Sequence, residues 1–174
     1  MNTNELPKRN ILRLEGFDYS TSGAYYVTMC THQKQHLFGR IADGKMYLNA
    51  LGKIANQEWL KLKDRFTKIN IDVYQIMPNH IHAIVAIGID DDIDLESDKT
   101  ITNPKVTEIV CAFKSLVTRH YKQYCRENNI VPIPKLWQRS YYDHIIRNED
   151  DLRAVADYIR FNPINWELDK YNRP

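Results

Sequence analysis

The stretch Ile69-Asn70-Ile71-Asp72-Val73-Tyr74-Gln75-Ile76-Met77-Pro78-Asn79-His80-Ile81-His82-Ala83-Ile84-Val85-Ala86-Ile87 decides the architecture of this chain. Its first half alternates apolar and polar residues, as a half-buried strand does. Pro78-Asn79 is a tight-turn signal. The run after it is rich in β-branched residues and predicts a second strand, so the two halves form a hairpin. Side chains two apart on a strand point to the same face. His80 and His82 therefore direct two imidazoles at one point in space, as two ligands of one metal ion must. The competing reading is an edge strand with a polar, solvated face.

Upstream, Ala24 to Cys30 predicts a strand. Phe38-Gly39 and Asp43-Gly44 read as turns, with a short strand at Lys45 to Leu48. Asn49 is a plausible N-cap for a helix from about Ala50 to Arg65, where Leu51, Ile54, Ala55, Trp59 and Leu62 recur at helical spacing. Downstream, Pro104 starts a long helix to about Asn128, buried through Val106, Ile109, Val110, Phe113, Leu116, Val117 and Tyr121. A connector over 129–140 leads to a strand at Tyr141 to Ile146. Asn148 caps a helix from Glu149 to about Asn162, with Asp151 at the capping-box position, and Pro163 stops it. The order β-(β)-α-β-β-α-β-α predicts an α+β sandwich of the ferredoxin-like or RRM-like kind. It has an antiparallel central sheet with helices on one face, plus the C-terminal helix.

At 174 residues the chain is expected to be a single domain over 1–174, with an irregular arm at 1–22. Hydrophobic content of 43% and charged content of 26% allow an ordinary packed core. No apolar run reaches membrane-spanning length, and the first residues lack the apolar stretch of a secretory signal, so no membrane association and a cytoplasmic location are expected. Cys30, Cys111 and Cys125 fit neither a disulfide framework nor a zinc set. The net charge of +2 is uneven, because Asp90, Asp91, Asp92, Asp94, Glu96 and Asp98 crowd into the acidic loop expected at 88–104. The rest is moderately basic, which suits a nucleic-acid partner and an ordinary solvated surface about equally.

The last helix carries the candidate chemistry. Leu152, Val155, Ala156 and Ile159 predict its core stripe, with Tyr158 on the flank. Asn162 lies four residues on and stacks on the same side, and Asp151 lies two turns earlier. If that edge faces the histidine strand, a phenol stands beside a metal. A divalent cation on two neutral imidazoles and one further oxygen keeps open positions and stabilises a phosphoryl transition state. Tyrosine attack on a phosphodiester then leaves a 5′-phosphotyrosine and a free 3′-hydroxyl, which permits rejoining.

His80-Ile81-His82 resembles the HUH motif (U hydrophobic) of single-strand endonucleases. The framing is more specific. Arg13-Leu14, Phe17-Asp18-Tyr19, Tyr25-Tyr26-Val27-Thr28, Phe38-Gly39, Met77 to His82, Phe113-Lys114-Ser115, Leu136-Trp137-Gln138-Arg139, Tyr142 to Arg147, and Tyr158-Ile159 with Asn162-Pro163 are similar, in that order, to the REP-associated tyrosine transposases, relatives of the single-tyrosine insertion-sequence transposases. The resemblance covers residues 10–166. It implies a DNA strand transferase with Tyr158 as nucleophile and His80 and His82 as ligands of Mg²⁺ or Mn²⁺. Asn162 is its third ligand, in place of the glutamine of the insertion-sequence branch. It implies single-stranded DNA bearing a hairpin as substrate, and a homodimer in which Tyr158 serves its own or its partner's site.

Several residues admit two readings. His144 contacts the metal surroundings or DNA phosphate, or is a packed core histidine. Trp137, Gln138 and Arg139 stack on a base and pair with phosphate, or Trp137 anchors the connector to the core. Lys114 holds phosphate or lies on a solvated helix face, and Arg147 joins this set as a DNA contact. The alternative function is a non-catalytic RRM-like nucleic-acid-binding module, with Tyr25 or Tyr74 as stacking aromatics.

Overall fold

The computed structural model describes residues 22–88 and 103–172. The arm expected at 1–22 and the acidic loop expected at 88–104 lie, apart from their inner ends, outside the described residues, as do the motifs Arg13-Leu14 and Phe17-Asp18-Tyr19. In chain order the elements are β1 (Gly23–Cys30), β2 (Gly39–Ala42), β3 (Lys45–Leu48), α1 (Ala50–Leu60), α2 (Leu62–Arg65), β4 (Ile69–Asn70), β5 (Tyr74–Ile76), β6 (His80–Ile87), α3 (Val106–Glu127), β7 (Tyr142–Ile146) and α4 (Glu149–Phe161). The fold is α+β, built on an antiparallel sheet.

The two long strands, β1 and β6, form the centre of the sheet. They pair antiparallel from Gly23↔Ile87 to Cys30↔His80. On the other edge of β1, β7 pairs with Tyr26 opposite His144 and Thr28 opposite Tyr142. Both β4 and β5 pair with β6. The strand expected over 69–77 is thus present but interrupted. Asn70 Oδ1 accepts from the Asp72 amide at 3.0 Å, a local turn that competes with the ladder. The Ile71 carbonyl accepts instead from the Trp59 indole at 3.1 Å. Pairing resumes where the Ile84 amide donates to the Val73 carbonyl at 2.8 Å.

Asp43-Gly44 makes the expected turn, with φ of 50° and 67°, and joins β2 to β3 as a separate hairpin. Gly39 opens β2 and so lies in a strand, not in the turn expected there. The first helix ends at Leu60, and α2 follows after a break at Lys61. On α4, Asn148 Oδ1 accepts from the Asp151 amide at 2.8 Å, the expected cap.

Strand alternation sorts the sheet into two faces. Tyr25, Val27 and Met29, with Ile81, Ala83, Val85 and Ile87, join Trp59 of α1 and Phe113 and Val117 of α3 in the main core. On the opposite face, Ala24, Tyr26, Ile84 and Ile146 meet Val155, Ala156 and Ile159 of α4. The C-terminal helix therefore covers the face that α1 and α3 leave open. Leu152 falls outside its buried stripe, at 38% exposed. No helix among the described residues is long and apolar enough to cross a membrane.

Candidate functional site

His80 and His82 open β6 on the face that α4 covers, and neither ring touches solvent. Their Nε2 atoms stand 2.9 Å apart. His80 Nδ1 donates to Asn79 Oδ1 at 2.7 Å. The Asn79 amide is oriented by its own donors, since Nδ2 bonds the carbonyls of Lys34 at 3.1 Å and Tyr171 at 2.7 Å. His80 thus carries its proton on Nδ1 and presents a bare Nε2 lone pair to the site. His82 Nδ1 meets the hydroxyls of Tyr26 at 2.8 Å and Thr28 at 2.9 Å. Burial, helped by nearby positive charge, pushes His80 down to about 3 and holds His82 well below the usual imidazole value. Both rings are neutral at physiological pH, the form that binds a metal.

The third member of the cluster, and its charged one, comes from beyond the last helix. After α4 a short 3₁₀ turn, Trp166–Leu168, sends the chain back toward β6. Partly buried Asp169 lies there, and one of its carboxylate oxygens and one nitrogen of each histidine fall within 4.8 Å of one another. Asp169 Oδ1 accepts from the Tyr171 amide at 2.6 Å, and Oδ2 accepts from Asn162 Nδ2 at 2.8 Å. Asn162 Oδ1 is buried with no hydrogen-bond partner. An orphaned acceptor of this kind costs free energy unless something fills it. Two imidazole nitrogens and a carboxylate form a donor set that fits a divalent cation. The ring of Tyr171 covers His80 at a centroid distance of 4.6 Å.

Tyr158 lies one helical turn before Asn162, and its hydroxyl is 3.4 Å from His82 Nε2. The ring stands edge-on to Tyr26 with centroids 6.3 Å apart. Although 42% of Tyr158 is exposed, partial burial and then the charge of Asp169 raise its pKa above the usual phenol value. It is a protonated phenol at neutral pH. In front of it opens a cleft of about 620 Å³, bounded by Tyr26, Tyr142 and His144 on the sheet side and by Asp151 and Tyr158 on α4.

His144 donates from Nε2 to Asp151 Oδ2 at 2.9 Å, and the Arg147 amide donates to the same oxygen at 3.3 Å. This hydrogen-bonded pair joins β7 to the first turn of α4 and forms the far wall of the cleft. Arg139 and Arg147 are exposed, and Gln138 is partly buried. Lys114 Nζ donates to the Gln138 carbonyl at 2.7 Å and to that of Ser140 at 3.4 Å, which ties α3 to the connector.

Trp137 corrects one expectation. It is 6% exposed, its indole donates to the Lys114 carbonyl at 3.1 Å, and it packs on Phe38 and Phe113. The ring has no free face for a base, so the anchoring reading holds. Asp169, Asn79, Tyr26 and Thr28 are members of the site that the sequence reading did not single out for it. Tyr26 and Thr28 carry a signal, being two apart on a strand next to the histidines. Asp169 carries none.

No family model matches the chain. An uncharacterized protein of Haemophilus influenzae is 36% identical over 172 residues, covering 93% of this chain and 92% of that protein. A second Haemophilus influenzae protein, provisionally named a REP-associated tyrosine transposase, is 29% identical over 93 residues, about half of each chain. Among solved structures, a REP-associated tyrosine transposase bound to a REP hairpin shares the fold, with a TM-score of 0.57 and 20% identity over 91% of this chain and 77% of that one.

Proposed function

We propose that this chain, which belongs to the REP-associated tyrosine transposases, cuts and rejoins hairpin-bearing single-stranded DNA through Tyr158. The single observation that carries this reading is the phenol of Tyr158 beside the Nε2 atoms of His80 and His82, at the mouth of an open cleft. His80, His82 and Asp169 hold a divalent cation, Mg²⁺ or Mn²⁺, and Asn162 Oδ1 offers a further ligand. When bound, such a cation polarises a phosphate oxygen and offsets the charge that develops during transfer.

The remaining work belongs to the protein. Asn79 fixes the tautomer of His80. The hydroxyls of Tyr26 and Thr28 orient His82. Helix α4 is packed on the sheet through Ile159 and Ala156, which aims Tyr158 at the cleft. The phenolic oxygen attacks phosphorus and the bond to the 3′-oxygen breaks, while the phenol gives its proton to water and the departing 3′-oxygen takes one from water. A 5′-phosphotyrosine and a 3′-hydroxyl result, and reversal by another 3′-hydroxyl joins a strand without a nucleotide cofactor. His144, held by Asp151, and exposed Arg139 and Arg147, with Gln138, contact the DNA backbone flanking the scissile bond. Lys114 supports this rim by holding the connector in place.

Tyr158 reaches the His82 of its own chain, which favours action in cis, whereas the resemblance adds a homodimer. The protein works in the cytoplasm, with its DNA. The non-catalytic RRM-like reading has less support. Tyr25 is 1% exposed, and Tyr74 is partly buried against the main core beside Trp59, so neither offers an open stacking platform.

The test is a hairpin oligonucleotide incubated with Mg²⁺ or Mn²⁺ and resolved under denaturing conditions. A protein–DNA adduct is expected from the wild type, none after chelation and none from Tyr158→Phe. An equal adduct from the variant, or one indifferent to chelation, overturns the proposal.

A further inference from the structure

The cleft beside Tyr158 holds a second proton-handling group, at the end away from the histidine pair. Among the described residues that line it, His144 is the one imidazole. Both hydrogen bonds of this ring run from Nε2 to Asp151, at 3.2 Å to Oδ1 and 2.9 Å to Oδ2. Nε2 therefore carries a proton, and Nδ1 is left for the cleft. The His144 side chain is 40% exposed, so a substrate can reach it. Asp151 is itself fixed, because its amide donates to Asn148 Oδ1 and its Oδ2 accepts from the Arg147 amide. The bond from His144, ahead of every other cause, holds the Asp151 carboxyl below the usual carboxylate range. Asp151 stays an anion, and an anion at Nε2 favours the imidazolium form of the ring.

The position of this dyad matches a leaving group. On the face that α4 covers, β1 separates His144 on β7 from His82 on β6, two strand spacings of about 4.8 Å each. On α4, Asp151 and Tyr158 are seven residues apart, a rise of about 10 Å along one side of the helix. Phenol and dyad thus stand at opposite ends of one cleft, with room for a phosphodiester between them. An in-line displacement asks for this arrangement. The nucleophile enters on one side of phosphorus, and the leaving oxygen departs on the other.

We propose that His144 is the acid–base group of the leaving side: Nδ1 protonates the departing 3′-oxygen during cutting and takes a proton back from the attacking 3′-hydroxyl during rejoining. The assignment rests on the strand-transfer reading through Tyr158. In cutting, the Tyr158 oxygen bonds to phosphorus and the bond to the 3′-oxygen breaks. The proton on Nδ1 moves to that oxygen, which leaves His144 neutral, and the phenol proton goes to water. In rejoining, the 3′-hydroxyl oxygen bonds to phosphorus and its proton returns to Nδ1. The released phenolate takes a proton from water. His144 thus replaces the water that would otherwise serve the 3′-oxygen, and imidazole is the side chain that gives and takes a proton near neutral pH. Asp151 is a positioning residue, which holds the ring by Nε2 and stabilises its cationic form.

The test uses two hairpin oligonucleotides of one sequence with Mn²⁺, the cut bond being mapped first on the ordinary DNA. In the second, sulfur replaces the bridging 3′-oxygen of that bond. A thiolate leaves without a proton, since a thiol ionises near about 8.5 and an alcohol far higher. Adduct formation is followed in single turnover at saturating protein, which separates the chemical step from binding. On the oxygen substrate, His144→Ala should slow adduct formation about 100-fold and Asp151→Asn about tenfold. On the sulfur substrate both variants should stay within about threefold of the wild type. That rate also shows that the variant is folded, and His144→Gln takes the place of His144→Ala if the latter does not melt cooperatively. Equal losses on both substrates assign His144 to DNA contact or to structure and overturn the proposal, as does an undiminished rate on the oxygen substrate. A wild type that forms no adduct with either DNA overturns the nuclease reading itself, and the acid–base role falls with it.

Discussion

At the residue scale the account turns on two neutral imidazoles. Burial keeps His80 and His82 uncharged in the folded chain, with His80 pushed down to about 3. In the unfolded chain the same rings titrate near about 6.5. Between those values the unfolded state binds more protons than the native state, so stability falls as pH is lowered from 6.5 toward 3 and is fully present above 6.5. Urea unfolding at pH 7.5 and at pH 5 should show this loss, and His80→Gln should flatten it. A pH-independent midpoint in the wild type would remove the argument for buried neutral rings. Trp137 gives a second residue-scale expectation. As a core anchor, its replacement by alanine should cost about 3 to 5 kcal/mol in denaturant unfolding. A near-neutral effect would return it to the DNA surface. The spacing of His80 and His82 was readable because strand periodicity alone puts them on one face. Asp169 was not, since it stands in an irregular segment without a motif, and only the path of the chain after α4 brings it to the histidines.

At the scale of elements, α4 is the part that must stay docked. Its periodic stripe was legible in Val155, Ala156 and Ile159, and its start was legible in Asn148. Leu152 departs from the stripe, since the small apolar patch around Ile84 receives only the middle of the helix. Ile159 is fully buried there, so Ile159→Ala should cost about 2 to 4 kcal/mol in global unfolding. It should also lower adduct formation beyond the loss in folded fraction, because Tyr158 rides on the same helix. If activity tracks only the folded fraction, docking of α4 does not limit positioning of the phenol. The break between β4 and β5 was not legible. Alternation across 69–77 is regular, and only the Trp59 indole capturing the Ile71 carbonyl, together with the Asn70 turn, diverts the strand.

Over the whole molecule, the sheet separates two tasks. One face, under α1 and α3, holds the main core, and the other presents the histidines to α4. The order of elements made the α+β class readable. The assignment of α4 to the second face follows from where side chains alternate on β1 and β6, which becomes visible only once their register is known. A cation bound at His80, His82 and Asp169 stabilises the native state alone. A free concentration near one hundred times its dissociation constant should therefore add about 2.7 kcal/mol to unfolding, and Asp169→Asn should weaken that gain. Equal stabilisation of wild type and variant by Mn²⁺ would exclude Asp169 as a ligand. Three other tyrosines, Tyr26, Tyr142 and Tyr171, border the same cleft, so the identity of the nucleophile is the central claim. Its most direct measurement is mass-spectrometric mapping of the nucleotide left on the protein after digestion of the covalent adduct. The account predicts a phosphodiester-linked nucleotide on the peptide carrying Tyr158. The same modification on a peptide carrying Tyr26, Tyr142 or Tyr171, with Tyr158 unmodified, would contradict it.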